Sequence, residues 1–390
     1  MTKPNLDSSR RVLVVTHYFS THLGGVQLVA HQLVRHLAAR YPDWRFDWCA
    51  SSSDALPEVA PTARCHAMSC WNGVEARTGL PYPLWSPRAW LRLWRLVGRC
   101  DVAHLHDFAY AGNALAALFC RLRGKPYLVT QHTGWVPYES WMMRAILRTA
   151  IKTVGRAVLR GAGRVVFVSD TVKGFFAGRL KLRAQTLANG VDTALFAPVN
   201  AATRARLRRE NGLDEAAPVA LFVGRFVERK GFPLILAMAA RTPDVQWITM
   251  GGGPLDPGEN VPPNVRVWRG RRGAQVAQAM QLADALVLPS QNEGFPLVVQ
   301  EALSCGTAVL FETTLAQALP DVAQWLTTQP LGTPDDAALW SARLREVMDA
   351  RADESSRNAR ADWARQTWNW DNCARQYGVL LEELMDEACG

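Results

Sequence analysis

The stretch RVLVVTHYFSTHLGGVQLVAHQLVRHLAA, residues 11–39, decides the fold class of this chain. Residues 11–16 form an apolar run of strand length that is rich in β-branched side chains, and Gly24-Gly25 lie in the loop that follows. Residues 27–39 then repeat apolar side chains at helical spacing. A strand, a glycine-containing loop and a helix in this order predict the first unit of a parallel sheet covered by helices.

The same alternation continues along the 390-residue chain and restarts after about residue 198. Because the chain is too long for one ordinary core, we predict an α/β fold of two Rossmann-like doubly wound domains facing each other across a cleft. The expected domains are 1–197, 198–365 and a last helix, 366–390, that returns to the first domain. The strand candidates are 102–105, 127–130 and 165–168 in the first half, and 219–223, 246–250, 265–268, 285–288 and 307–310 in the second.

No apolar run approaches the roughly 20 residues of a membrane-spanning helix, and the polar residues 1–10 carry no signal region. We therefore expect a cytoplasmic protein. The chain is basic, with a net charge of +9, which suggests an acidic partner. No motif typical of nucleic-acid binding occurs, so we expect no nucleic-acid partner.

Two basic segments, 85–99 and 138–160, combine arginines with apolar side chains at helical spacing. Basic amphipathic helices that carry tryptophan are typical of contact with an anionic membrane surface. The alternative is a pair of ordinary packed helices with a solvated basic face. If the membrane interpretation holds, the protein is peripheral on the inner face of the plasma membrane.

Two loops that follow strand candidates have the composition of phosphate sites. Gly24 and Gly25 precede a helix, whose N-terminus favours an anion, although a plain tight turn has the same sequence. The loop after residues 219–223 begins Gly224-Arg225 and ends Lys230-Gly231. Arginine and lysine supply a planar fork and a compact charge for phosphate oxygens, so this loop predicts a diphosphate site.

The richest segment is LPSQNEGFPLVVQEALSCG, residues 288–306. Pro296 suits a first helical turn and Gly306 the position after a helix end, which predicts a helix over 296–305. The N–H groups of Leu297 and Val298 then lie at its open N-terminus and can bind a phosphate. Glu293 before the helix and Glu301 within it are candidates to accept hydrogen bonds from sugar and ribose hydroxyls.

These motifs together resemble glycosyltransferase family 4, a family of retaining enzymes with the two-domain GT-B architecture. The resemblance extends over nearly the whole chain and implies a nucleotide-sugar donor. The matching segments are Gly24-Gly25-Val26, His104-Leu105-His106-Asp107, Thr130-Gln131-His132, Gly224-Arg225 with Lys230-Gly231, Gly251-Gly252-Gly253-Pro254, and Glu293-Gly294-Phe295-Pro296 with Glu301-Ala302. The stretch 312–317 departs from the family, because many relatives have a glycine pair there.

The resemblance implies catalytic roles for four residues. Glu293 contacts the transferred sugar, Arg225 and Lys230 neutralise the diphosphate, and His106 faces the sugar from the amino-terminal domain. His104 points to the same face one step deeper, so the choice of His106 rests on its place at the strand end. The implied donor-binding residues are Gly24, Gly25, Gly224, Gly294, Phe295, Leu297, Val298 and Glu301.

The expected reaction is transfer of a hexose-type sugar, with retention, from a UDP- or GDP-sugar to a glycan or lipid-linked acceptor in bacterial polysaccharide or glycolipid biosynthesis. No Asp-x-Asp motif suited to a metal-bridged diphosphate occurs, so we expect neither a metal nor another cofactor. Two alternatives remain at this point: a GT-B nucleotide-sugar 2-epimerase, and a non-catalytic module that binds a nucleotide sugar.

Overall fold

The computed structural model describes residues 9–22, 24–53, 55–78, 82–134, 141–177, 182–291, 296–317, 321–349 and 354–389. The chain divides into two units: unit 1 is Met1–Gly190 with Trp370–Gly390, and unit 2 is Val191–Asn369. The expected limits after residues 197 and 365 lie seven and four residues from these. Two contacts explain where the limits fall. Val191 and Asn369 form a backbone bridge within unit 2, and the ring of Trp370 packs on Gly190 within unit 1.

Unit 1 has a Rossmann-like order of elements. Its strands are β1 (Arg11–Val15), β2 (Arg45–Ser51), β3 (Ala63–Met68), β4 (Cys70–Trp71), β5 (Leu84–Trp85), β6 (Val102–His106), β7 (Tyr127–Gln131), β8 (Arg164–Phe167) and β9 (Ala184–Thr186). Its helices are α1 (Gly25–Arg40), α2 (Gly73–Thr78), α3 (Pro87–Arg99), α4 (Ala111–Leu122), α5 (Trp141–Ala150), α6 (Arg156–Gly161), α7 (Asp170–Ala177) and, from the end of the chain, α15 (Trp370–Cys389). A π-helical turn, Ile151–Gly155, joins α5 to α6.

The main sheet of unit 1 is parallel and has the strand order β3-β2-β1-β6-β7-β8-β9. Every residue of β6 and β7 is buried, as expected for central strands that helices cover on both faces. The chain moves outward from β1 to β3 and then returns to β6 on the other side of β1. The strand order therefore reverses between β1 and β6.

Helix α15 packs on unit 1 by polar contacts as well as apolar ones. Arg10 bonds to Glu382 and Asp386, and Thr130 donates to the hydroxyl oxygen of Tyr377 at 3.1 Å. Asp371 directly follows Trp370, the first residue of this helix. It lies in the first turn, where its carboxylate bonds to His36 at 3.0 Å.

Unit 2 repeats the architecture with a second parallel sheet. Its strands are β10 (Val219–Arg225), β11 (Gln246–Gly252), β12 (Val265–Trp268), β13 (Ala285–Leu288), β14 (Ala308–Glu312) and β15 (Leu326–Gln329). Its helices are α8 (Ala201–Glu210), α9 (Phe232–Arg241), α10 (Ala274–Leu282), α11 (Leu297–Ser304), α12 (Thr313–Gln317), α13 (Asp336–Asp349) and α14 (Glu354–Trp368). The strand order is β12-β11-β10-β13-β14-β15, which reverses between β10 and β13.

Among the described residues, no helix is both long enough and apolar enough to cross a membrane.

Candidate functional site

In unit 1, the reversal of strand order places a set of polar side chains at one edge of the sheet. Ligands of open parallel sheets bind outside the carboxyl ends of the strands at such a reversal. Gly24 and Gly25 follow β1 and begin α1, and His106 is the last residue of β6. His132 follows β7, the next strand along. The fold therefore brings His106 and the glycine pair to the same edge.

His106 is fully buried and only partly satisfied in its hydrogen bonding. Its Nδ1 lies 3.0 Å from Nε2 of His132, whereas its Nε2 has no partner among the described residues. Burial, with neighbouring histidines, lowers the pKa of His106 well below its ordinary value, so the ring is neutral at pH 7. A neutral ring whose Nε2 lacks a partner can bond to a ligand hydroxyl.

His17 extends this set from the end of β1. Its ring stacks on Tyr110 with centroids 3.7 Å apart, and its Nε2 lies 3.1 Å from the side-chain amide nitrogen of Gln27. Burial lowers the pKa of His17 to about 3, and that of His132 to about 3 as well. Nδ1 of His17 is buried and has no partner within the described ranges, so a second neutral histidine at this edge has an unused hydrogen-bonding atom.

Asp107 is the most unusual residue of the edge. It has a φ of 66°, a left-handed conformation that no other non-glycine residue in the described part of the chain adopts. Its Oδ1 accepts from the backbone N–H groups of His132, at 2.9 Å, and Thr133, at 3.4 Å. Its Oδ2 is buried and unpartnered among the described residues, and burial raises the pKa of Asp107 to about 7. Such strained, underbonded groups are typical of ligand sites.

His104 has a different environment from His106. Its Nε2 lies 2.7 Å from the hydroxyl of Thr130, and its ring lies close to Tyr377 of α15. His104 therefore packs against α15, whereas His106 is the last residue of β6.

In unit 2, the reversal between β10 and β13 brings the two predicted phosphate segments together. Arg225 ends β10, and Lys230 closes a 3-10 turn over Glu228–Lys230. The backbone N–H of Gln291, after β13, donates to the carbonyl oxygen of Arg229 at 2.9 Å. The cationic loop and the chain that leads to α11 are therefore joined directly.

Gly231 makes this junction possible. Its φ is +70°, and a Cβ at this position would lie 2.4 Å from the carbonyl oxygen of Pro289. Only a residue without a side chain allows the two loops to approach so closely.

We expect Gly231→Ala to lower the free energy of unfolding by about 2 kcal/mol and to raise the KM for the donor, because the loops must separate. Gly258→Ala is the matched control, since Gly258 has a φ of +59° and open space around it. Thermal denaturation and donor kinetics measure both effects. Equal losses of stability in the two variants, with unchanged KM, would show that the junction has no role in donor binding.

Helix α11 begins one residue later and ends one residue earlier than predicted, at Leu297 and Ser304. Pro296 is its N-cap residue and offers no side-chain hydrogen bond. Among the described residues, no acceptor contacts the N–H groups of Leu297 and Val298, the first two residues of the helix. Glu293, Gly294 and Phe295 lie outside the described residues.

Glu301 lies in the second turn of α11. It is partly buried, and burial raises its pKa to about 7. Its carboxylate therefore sits in a desolvated environment. Gly224 lies on β10, next to the side chain of Lys230. A Cβ added at Gly224 would lie 3.9 Å from Cδ of Lys230. The candidate donor residues that the structure describes in unit 2 thus lie at or after the ends of the neighbouring strands β10 and β13.

Sequence profiles of two families match the chain: Glycosyltransferase Family 4 over residues 23–195 and Glycosyl transferases group 1 over residues 203–367. The chain belongs to glycosyltransferase family 4. Its two parallel-sheet units are the two domains of the GT-B fold.

Known proteins similar to this family 4 chain include one curated relative and two solved structures with the same fold. D-inositol 3-phosphate glycosyltransferase of Mycolicibacterium gilvum is 32% identical over 174 residues, which are 41% of this chain and 38% of that protein. The chain thus matches well under half the length of that relative. Sucrose-phosphate synthase of Thermosynechococcus elongatus superposes with a TM-score of 0.74 at 20% identity, covering 97% of this chain and 100% of that chain. Anabaena HepE in complex with UDP and glucose superposes with a TM-score of 0.72 at 14% identity, covering 96% of this chain and 100% of that chain.

The family 4 chain also contains candidate site residues to which sequence patterns alone assign no role: His17, Asp107 and His132. Asp107 and His132 directly follow strands of unit 1, and His17 lies two residues after β1, so their position after a strand is the signal in the sequence that could have singled them out. The described residues contain no group of three histidine, cysteine, aspartate or glutamate side chains placed to hold a metal ion.

The segment that departs from many family 4 relatives has a simple structure. Residues 313–317 form the short helix α12 directly after β14. Glu312 accepts a hydrogen bond from the backbone N–H of Leu315 at 2.9 Å. A carboxylate that caps a helical turn takes the place where a glycine pair was expected.

Proposed function

We propose that this family 4 chain transfers a hexose-type sugar from a nucleoside-diphosphate sugar to a glycan or lipid-linked acceptor, with retention of the anomeric configuration. The observation that carries the proposal is the convergence of Arg225, Lys230 and the N-terminus of α11 at one edge of the unit 2 sheet. That arrangement suits a diphosphate. The UDP bound by the fold neighbour HepE supports a nucleotide-sugar donor, which we propose to be a UDP- or GDP-sugar.

The proposed role of the cationic loop is to stabilise the leaving group. As the glycosidic bond breaks, negative charge grows on the diphosphate, and fixed positive partners lower the energy of that transition state. Arg225 provides a fork for two oxygens, and Lys230 a point charge. The N–H groups of Leu297 and Val298 add the positive end of a helix. On this account the reaction needs no metal ion.

The edge of the unit 1 sheet that carries His106 and Asp107 is proposed to bind hydroxyl groups. Nε2 of His106 and Oδ2 of Asp107 are buried without partners in the described part of the chain, and each would gain a hydrogen bond from a ligand. His106 is assigned to the transferred sugar. Asp107 is assigned to a second hydroxyl, as an acceptor when it is ionised.

Retention does not require a pair of carboxylates that act as nucleophile and acid. We propose that the acceptor hydroxyl attacks from the face that the diphosphate leaves. The C–O bond to the leaving phosphate breaks, the bond to the acceptor oxygen forms, and a phosphate oxygen takes the acceptor proton. Glu293 and Glu301 then position hydroxyl groups of the donor.

A donor screen tests the proposal. Thermal shift with a panel of UDP- and GDP-sugars identifies the donor, since a tight ligand raises the melting temperature. Turnover of that donor is then measured with and without candidate acceptors, in the presence of EDTA. We expect acceptor-dependent release of the nucleoside diphosphate. Isomerisation of the sugar without an acceptor would indicate an epimerase, and binding without turnover a non-catalytic module.

We expect Glu301→Gln to raise the KM for the donor tenfold to a hundredfold, because a hydrogen bond to an ionised group contributes about 1.5–3 kcal/mol. Since the pKa of Glu301 is about 7, the KM of the unchanged enzyme should rise as the pH falls from 8 to 6. This pH dependence should be weaker in the variant. The control is Glu346→Gln, on the surface beside Arg343. A KM for Glu301→Gln equal to that of the control would remove Glu301 from the donor site.

We also propose that α3 and the helical stretch from Trp141 to Gly161 contact an anionic membrane surface. Trp141 and Met142 are 75% and 54% exposed. An exposed tryptophan on a basic helix is typical of an interfacial anchor. The membrane would then present a lipid-linked acceptor to the enzyme.

A further inference from the structure

An open apolar groove lies on the surface of unit 1. It has a volume of about 530 Å³ and runs between α3, α4 and the π turn with α6. Trp85 and Tyr127 form its buried part, and Trp90, Leu118 and Val154 line its open sides. Among the charged side chains of the described residues, only Arg121 lines the groove.

The open sides of the groove are unusually apolar for a protein surface. Leu118, Trp90 and Val154 are 50%, 47% and 42% exposed, and they belong to three different helical segments. Single exposed apolar side chains are ordinary, but a contiguous set around a cavity indicates a binding surface. A groove of this volume has the size of a small-molecule site.

The helices around the groove carry charge of one sign. Together α3, α4 and residues 141–161 contain ten lysine and arginine side chains and no aspartate or glutamate. The exposed residues Arg156 and Arg160 flank Ala157 and Val158, which line the groove. An apolar groove with a cationic border complements a molecule with a hydrocarbon chain and an anionic head.

One end of the groove lies next to the candidate hydroxyl-binding edge. Ala111 and Gly112, the first residues of α4, line it, and the groove follows this helix for about 15 Å to Arg121. Asn113, the next residue, donates from its side chain to the carbonyl oxygens of His106 and Asp107. A chain lying along α4 would thus have one end near those two residues.

We propose that this groove binds one hydrocarbon chain of an anionic membrane lipid, with the lipid head at the cationic end beside Arg121 and the end of the hydrocarbon chain towards His106 and Asp107. The inference rests on the proposed function in one respect: the bound lipid would anchor the enzyme on the anionic membrane that carries the proposed lipid-linked acceptor. Charge complementarity favours this occupant over a second copy of the basic chain, because two cationic borders would repel each other.

The test uses single-chain phosphatidylglycerols of 10, 12 and 14 carbons, below the concentrations at which they form micelles. Isothermal titration of the full chain measures their affinities. We expect the affinity to rise about fourfold for each methylene buried. The same chains on a zwitterionic choline head should bind more weakly.

Ala157→Phe fills the groove, since Ala157 lines it and is exposed. We expect this variant to lose the dependence on chain length. Ala145→Phe is the matched control, because it places the same ring on an exposed position of α5 outside the groove. Both variants should keep the thermal shift and turnover of the donor in solution, so a failure of the donor experiment stays separate from a failure of the groove.

Three results would overturn the proposal: no binding of any single-chain lipid by the unchanged protein, equal chain-length dependence in Ala157→Phe, or equal affinity for the two head groups. A dimer in analytical ultracentrifugation that Ala157→Phe dissociates would also overturn it, because a second copy of the chain would then occupy the groove.

Discussion

Replacing Arg225 or Lys230 by alanine is expected to lower kcat/KM at least a hundredfold. Each side chain is assigned to charge that develops on the leaving diphosphate, and the loss of one preorganised partner of such charge costs on the order of 3 kcal/mol. The loss should appear mainly in kcat, because the charge on the diphosphate grows only as the bond breaks. Arg225 is exposed at the end of β10, so its removal should leave the fold unchanged.

Arg229→Ala is the matched control for both variants. Arg229 lies in the same 3-10 turn as Lys230, and its side chain is exposed. Its contact with Gln291, after β13, uses its backbone carbonyl oxygen. We expect it to keep near-normal turnover. Steady-state kinetics on the three variants, with circular dichroism to check the fold, separate the cases. Near-normal rates in both Arg225→Ala and Lys230→Ala would contradict the assignment, as would an equal loss in all three.

Asp107→Asn is expected to stabilise the fold above pH 7 while it impairs catalysis. Burial raises the pKa of Asp107 from 3.8 to about 7. Its carboxyl group therefore favours the folded state while protonated, and that contribution is lost as the pH rises from 3.8 through 7. The loss amounts to about 4 kcal/mol, to an order of magnitude. Asparagine stays neutral, accepts the same backbone hydrogen bonds at Oδ1, and tolerates the left-handed conformation.

The measurement is the free energy of unfolding between pH 4 and pH 8, together with kcat/KM. We expect the variant to show a flatter pH dependence of stability and a kcat/KM lowered tenfold or more, because a buried acceptor for a hydroxyl is lost. Asp101→Asn, at the exposed opposite end of β6, should change both quantities much less. Lower stability of Asp107→Asn at every pH would show that the carboxylate supports the fold rather than a ligand.

The elements that sequence predicted well are those whose signals are local. Pro296 and Gly306 enclose α11, and Gly306 has the φ of +73° that favours glycine after a helix end. The central strands β1, β6, β7, β10 and β13 are nearly continuous apolar runs, because both of their faces are buried. The fold class followed from these runs.

The strands β2, β3, β9 and β15 escaped prediction, as did the two-residue strands β4 and β5, which pair with each other. All except β2 lie at the edges of their sheets, and β2 mixes Arg45 and Asp47 with buried residues. Polar residues interrupt the apolar pattern there, since one face or one end of each strand is solvated. A purely local pattern does not distinguish such strands from loops.

The helical stretch over 138–160 was predicted as one regular amphipathic helix, and this was wrong in one respect. The π turn at Ile151–Gly155 adds a residue to one turn and shifts the helical phase. Val154, within this turn, is exposed, whereas Val158, after it, is buried. The exposed Val154 lines the groove, so the irregular turn contributes to it.

The rest of the candidate site depends on tertiary contacts, which no local sequence pattern predicts. The close approach of Gly231 to the carbonyl oxygen of Pro289 joins residues 58 positions apart. The unpartnered atoms of His17, His106 and Asp107 depend on the ends of β1 and β6 meeting at one edge of the sheet. Residue types suggested Arg225, Lys230 and Glu301, but only the fold shows which polar groups are left without partners.

The measurement that tests the account most directly is the anomeric configuration of the product, determined by proton NMR from the coupling constant of the new linkage. The donor is the one identified by thermal shift, and the reaction is run with an acceptor that supports turnover. Retention of the donor configuration is the predicted result. An inverted product would contradict the account, because the acceptor would then attack from the face opposite the diphosphate, and the leaving phosphate would be too far away to take its proton.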